Sequence, residues 1–256
     1  MSFEDHFSQR SSTYAQYRPR YPAELFAYLA EQTSGHELAW DCATGNGQAA
    51  LGLVKHYDRV VATDASQEQI DRAVPHERIS YRVEPAEQTS LSAASVDLVT
   101  AAVDVHWFDF DRFYREVQRV LRPEGLIAVW TYHRPVINPD LDAFIAQLEV
   151  EILAGCWPER LHYLQEHYQT LPFPFDEEPA PEFVMEAEWS LDHLVGFFDS
   201  WSAVRRYEEN HSFHPLRPVW NDFLAAWGSA DLRRKIRWPI YLRVGRSHPE
   251  TGARGE

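Results

Sequence analysis

Apolar residues in the first half of the chain fall into short continuous runs separated by stretches with helical spacing. Leu38-Ala39-Trp40-Asp41-Cys42, Arg59-Val60-Val61-Ala62-Thr63-Asp64 and Ile79-Ser80-Tyr81-Arg82-Val83 read as strands, as do residues 95–102 and 126–132. Between them, Leu25, Phe26 and Leu29 mark a helix at 23–32 that Pro22 can open from its first turn. Ala49, Ala50, Leu51 and Leu53 begin a second helix. Phe113, Val117, Val120 and Leu121 share one face of another, capped by Asp109 or Asp111. Strands alternating with helices over short connections predict an α/β fold, a parallel, doubly wound sheet with ligands at the carboxyl ends of its strands. Asp41, Asp64, Ala86 and His106 all fall at such ends.

The alternation breaks after residue 134. Leu141, Phe144, Ile145, Leu148 and Ile152 predict one long helix, and Leu161, Leu164 and Tyr168 a second, followed by a connection through Pro172, Pro174, Pro179 and Pro181. Residues 183–189 predict a sixth strand and 191–204 a helix with Leu194, Phe197, Phe198 and Trp201 on its apolar face. A further helix is expected at 219–227, then a closing strand at 236–244 in which Pro239 implies an edge or a bulge. The expected organisation is an N-terminal arm and first helix over the site (1–34), a ligand-binding core (35–134), a helical lid insertion (135–182), the rest of the sheet with substrate-side helices (183–246) and a tail (247–256).

Composition narrows the partners. A net charge of −15 argues against a nucleic-acid partner, which needs a basic track, yet pocket arginines could still hold a small acid. Cys42 and Cys156 cannot form a disulfide framework and are expected to be reduced thiols in a cytoplasmic protein. No apolar run is long enough to span a membrane, and the first residues are not a basic, apolar signal. A homo-oligomer is possible but not indicated, and no metal-ligand set is assigned.

The chemistry concentrates where the first strand ends. Gly45-Asn46-Gly47-Gln48-Ala49-Ala50 fits the G-x-G-x-x-G/A pattern in which a pyrophosphate meets a helix N-terminus. Asp41 would face that anion and oppose it, whereas beside a cation the same carboxylate is favourable. A nucleoside bearing an ammonium and a sulfonium suits the loop better, and S-adenosylmethionine is such a ligand. A dinucleotide and a purely structural turn remain as alternatives. Asp64 follows the glycines at about the 20-residue step where such folds place a ribose-binding carboxylate, its alternative being a cap for a helix at 66–72.

Taken in order, these segments resemble the class I S-adenosylmethionine-dependent methyltransferases, and within them the trans-aconitate methyltransferase branch. The resemblance covers residues 7–246 and is carried by Tyr14, Tyr17-Arg18-Pro19, Tyr21-Pro22, Asp41-Cys42-Ala43-Thr44-Gly45-Asn46-Gly47-Gln48 and Asp64-Ala65-Ser66. It continues through Pro85-Ala86-Glu87, Val96-Asp97-Leu98-Val99, His106-Trp107-Phe108, Leu121-Arg122-Pro123-Glu124-Gly125 and the closing Arg237-Trp238-Pro239-Ile240 with Leu242-Arg243-Val244-Gly245-Arg246. It implies a Rossmann-like, seven-stranded sheet with an antiparallel last strand. It also implies that Asp41, Ala43, Gly45 and Gly47 contact the methionyl end of the cofactor, that Asp64 holds the ribose, and that Ala65 packs on the adenine. Ala86 and Glu87 would border the adenine, and Arg18 would reach the cofactor's carboxylate. Two positions depart from the pattern. Ala43 replaces the first glycine, so its turn is expected to avoid left-handed dihedrals. Pro85 replaces an acid, leaving Glu87 or backbone to read the adenine amino group.

The reaction this implies is in-line displacement at a sulfonium methyl, where positioning alone can be worth about 7–11 kcal/mol. A carboxylic acid acceptor is already ionised near neutrality and needs no base, so Arg20, Arg134, His106 and His133 would act as anion clamps. A phenol, amine or thiol would use a base, and His106 is the catalytic candidate. Its alternative is a loop histidine packed against Trp107. Tyr14, Trp107 and Trp201 complete the substrate-side candidates. A non-catalytic S-adenosylmethionine-binding protein and a nicotinamide-dependent oxidoreductase are the competing functions.

Overall fold

The computed structural model describes residues 17–246, which divide into two compact units. Tyr14 lies outside the described residues.

The first unit comprises Tyr21–Tyr132, His162–Phe183 and residues 240–246. It contains α1 (Ala23–Gln32), β1 (Leu38–Cys42), α2 (Gln48–Leu53), β2 (Arg59–Asp64), α3 (Gln67–Asp71), β3 (Ile79–Val83), β4 (Val96–Ala102), α4 (Phe110–Val120) and β5 (Leu121–Tyr132). Later come α5 (Pro139–Gln147), α6 (His162–Gln165), β6 (Asp176–Glu178), β7 (Phe183–Ser190), α7 (Leu191–Asp199), α8 (Ser202–His211), α9 (Trp220–Trp227) and β8 (Arg233–Arg246), of which α6, β6 and the end of β8 belong to this unit. The strand order is β3-β2-β1-β4-β5-β8-β6, parallel from β3 to β5 and antiparallel where β8 meets β5 and β6. The expected α/β sheet with its antiparallel last strand is present.

Strands buried on both faces explain the continuous apolar runs: every residue of β1 is buried, as are all but the last of β4. Trp40, Val99, Ile127 and Val129 pack beneath Phe113 and Val117 of α4, whose N-cap is Asp109 accepting the Arg112 N–H. Burying a side chain of this size contributes about 1.5–3 kcal/mol. β5 begins earlier than the expected 126. Val96 faces Leu121 and Leu98 faces Leu126, so Pro123-Glu124-Gly125 is absorbed as a bulge, with Glu124 at φ 64°. β7 is the expected sixth strand, and the additional β6 brings the strand count from seven to eight. Its residues are acidic, carry no apolar pattern, and are held through Arg243–Glu177 and Arg246–Glu178 ion pairs.

The second unit comprises residues 17–20, His133–Leu161 and Val184–Pro239. Here Phe144 of α5 stacks on Phe223 of α9 at 4.8 Å, and Trp189, Phe197 and Trp238 pack together. The long helix expected through Ile152 becomes a π-helical turn at Leu148–Ile152, with the Leu153 N–H reaching back to the Leu148 carbonyl. The Trp157 indole N–H takes the Glu149 carbonyl at 3.0 Å. The helix expected at 191–204 is two, α7 and α8, broken where the Ser200 hydroxyl donates to the Phe197 carbonyl. Contacts also divide the expected 135–182 insertion, because His162–Phe183 joins the sheet unit. No helix among the described residues is long and apolar enough to cross a membrane.

Candidate active site

After β1 the Thr44 N–H extends the ladder to the Thr63 carbonyl at 2.9 Å, and the chain then turns through Gly45 and Gly47 at φ 56° and 86°. Ala43 does not avoid the left-handed region, as its lack of glycine had implied: its φ is 51°. A Cβ there costs about 1–2 kcal/mol, so the surrounding strands must hold it. The two glycines do different work. A Cβ on Gly45 would meet nothing within 4 Å, which keeps the backbone open to a ligand. A Cβ on Gly47 would stand 2.4 Å from the Tyr81 hydroxyl, so Gly47 is needed for packing as well.

Asp41 is 1 % exposed and accepts hydrogen bonds from the Thr44 hydroxyl at 2.6 Å and the Thr100 hydroxyl at 2.8 Å. Burial pushes its carboxyl up to about 6, against the opposing effect of those hydroxyls. Asp64 accepts from the Gly45 N–H at 2.9 Å and the Ser66 N–H at 2.8 Å, while Ser66 itself caps α3. Among the described residues neither carboxylate is paired with a lysine, arginine or histidine. Two uncompensated acids beside an open glycine backbone fit a cationic nucleoside with a ribose diol, and oppose a diphosphate.

Ala65 is exposed and Ala86 buried in the loops after β2 and β3. Glu87 accepts the Asp109 N–H at 3.0 Å and so braces the start of α4. Glu84, one position before Pro85, binds the Ser90 N–H and hydroxyl.

Strain recurs after β4, where Val103 sits at φ 66° with its N–H on the Trp130 carbonyl. A β-branched residue there is a genuine outlier, and such outliers gather at functional sites. His106 follows on a short 3₁₀ turn, 1 % exposed, with its ring 4.7 Å from that of half-exposed Trp107. Its Nδ1 lies 2.9 Å from the Tyr168 hydroxyl. Tyr168 is fully buried and itself left-handed, at φ 61°. Arg243 fixes this turn by donating to the Tyr168 and Leu171 carbonyls at 3.0 and 2.7 Å. Burial holds the Tyr168 phenol well above its ordinary range, so it is a neutral hydroxyl. Tyr168, Thr44 and Thr100 were not singled out as site residues from sequence. Tyr168 is 62 positions from its partner and carries no local signal. Thr44 could have been found, since it is a hydroxyl residue within the same loop, three positions after Asp41.

The remaining candidates lie in the second unit. Arg18 stands over the Phe197 ring at 5.5 Å and donates to the Ser200 carbonyl at 3.5 Å. Arg20 is exposed. His133 and Arg134, expected as clamps for an anionic acceptor, are both engaged by buried Glu149, at 2.7 and 2.6 Å. Trp201 is half-buried between Trp157, Phe197 and Phe198.

Residues 40–129 match the methyltransferase domain family. A solved structure from Anaeromyxobacter dehalogenans, described as a candidate type II methyltransferase, is 41 % identical with a TM-score of 0.85, covering 90 % of this chain and 99 % of that one. A candidate methyltransferase of Dictyostelium discoideum is 28 % identical over 247 residues, 94 % of each chain. A Saccharomyces cerevisiae protein described as a candidate S-adenosylmethionine-dependent methyltransferase is 26 % identical over 134 residues, 49 % of this chain and 46 % of that one.

Proposed function

Because the chain belongs to the class I S-adenosylmethionine-dependent methyltransferases, we propose that it transfers the methyl group to an oxygen of a small carboxylic acid. When bound, S-adenosylmethionine supplies an electrophilic methyl on a sulfonium sulfur. Asp41 offsets the cofactor's positive end, Asp64 accepts from the ribose hydroxyls, and the Gly45 backbone leaves room for both. The trans-aconitate methyltransferase branch, to which the sequence bears its resemblance, is in keeping with an acidic acceptor.

The observation that carries the acceptor class is the His106–Tyr168 pair. A neutral phenol locks the imidazole in one orientation, and the ring is buried just past the end of β4. So held, His106 orients an acceptor oxygen that arrives already ionised and needs no proton removed. Turnover of labelled S-adenosylmethionine against carboxylic acids, phenols, amines and thiols tests this. Carboxylic acids should be methylated, with kcat/KM flat through neutral and mildly basic pH. Methylation confined to phenols, amines or thiols, rising with pH, would overturn it.

A further inference from the structure

A cleft of about 380 Å³ opens in the sheet unit at the amino ends of its strands. Such a volume falls in the range of small-ligand sites, roughly 300–1,000 Å³. Leu38, Val60, Val61, Ile79 and Leu91 give it an apolar floor. Arg59, Arg78 and Arg82 line it, together with Ser80, Ser90, Ser92 and Ser95. Asp41, Asp64 and His106 stand at the carboxyl ends of the same sheet and none lines this cleft.

Two of the three guanidinium groups are held in place by neutral partners. Arg82 donates to the Ser80 hydroxyl at 3.2 Å and the Ser90 hydroxyl at 2.8 Å, and Arg78 to the Tyr57 carbonyl at 3.3 Å. Among the described residues none of the three is ion-paired, although the chain carries 39 acidic side chains against 24 basic ones. Glu77 is the one acid in the lining and Glu84 stands behind it as the acceptor of the Ser90 N–H and hydroxyl, so three guanidinium groups face two carboxylates and the cleft keeps a small local positive charge within a protein of net charge −15. Each guanidinium presents five N–H donors, and those of Arg78 and Arg82 are only partly used. Pre-positioned donors above an apolar floor lower the ordering cost of binding an anion with an apolar body.

We propose that this cleft is a second ligand site, separate from the cofactor loop, for a small organic phosphate whose apolar portion lies on Leu38, Ile79 and Leu91. Calorimetric titration of the intact protein with naphthyl phosphate tests it, with naphthol as the uncharged control and saturating S-adenosylhomocysteine as competitor. Saturable binding is expected, weakened about tenfold or more in an Arg59→Gln/Arg82→Gln variant and for naphthol, and unchanged by S-adenosylhomocysteine. Full S-adenosylhomocysteine affinity in the variant would certify that it folds. Absence of saturable binding, equal binding by the variant or by naphthol, or displacement by S-adenosylhomocysteine would each overturn the proposal. An Arg59→Gln single variant, altered at one exposed position, should lie between the two.

Discussion

Asp41 and Asp97 are buried carboxylates on adjacent strands of one sheet, and they are treated in opposite ways. Asp97, near the start of β4, accepts the Glu37 and Leu38 N–H groups at 2.8 and 2.9 Å and an Arg122 guanidinium N–H at 2.8 Å. Asp41, near the end of β1, has hydroxyl and backbone donors but no cation among the described residues. The amino end is built for stability. At the carboxyl end the fold tolerates an unneutralised charge, which on the proposed reading a cationic ligand relieves.

This contrast predicts opposite responses to removing each acid. Asp97→Ala should cost about 3 kcal/mol in urea denaturation, since it leaves the Glu37 and Leu38 N–H groups without their acceptor and takes one of two carboxylate partners from Arg122, while S-adenosylhomocysteine affinity in the folded protein stays near wild type. Asp41→Asn should do the reverse. Cofactor affinity should fall about a hundredfold, and the apo protein should gain about 1–2 kcal/mol once no charge is buried. Equal stability losses from both would erase the distinction between the two ends.

The positioning of His106 gives a smaller effect. Tyr168→Phe should lower kcat about tenfold with the S-adenosylhomocysteine affinity and the KM for the cofactor unchanged. A loss of cofactor affinity instead would mean that the phenol supports the loop rather than the imidazole. Ala43→Gly is expected to change least, raising stability by about 0.5–1 kcal/mol as left-handed strain is traded for chain entropy, readable as an increase in Tm.

The fold was legible from sequence wherever one strand or helix carries its own signal. Asp41, Gly45 and Asp64 lie within one strand-turn-helix unit and its successor, so spacing alone placed them at the sheet's carboxyl ends. The strand-turn-helix pattern could not show that Gly47 is demanded by Tyr81 from another strand, nor that Ala43 is held left-handed by its neighbours. Tyr168 was read as one position on a helix, yet the chain leaves the helix at Gln165 and Arg243 pins the turn that follows. Glu149 was hidden in the same way. A π-helical turn, which apolar periodicity does not encode, accompanies its engagement of both His133 and Arg134.

The central claim is that an uncompensated acid at the end of β1 recognises the cofactor's positive charge. The Asp41 carboxyl lies at about 6 in the folded protein against an ordinary 3.8, so the folded state holds this proton more tightly than the unfolded one. Acidification through that window therefore relieves the apo fold while removing the charge that a cationic ligand needs. Calorimetric S-adenosylmethionine affinity across this range, without acceptor, is the most direct measurement. The wild type should lose affinity as pH falls through about 6, approaching tenfold per pH unit below it, and Asp41→Asn should show a weak but flat profile. A flat wild-type profile, or the same slope in both proteins, would contradict the account.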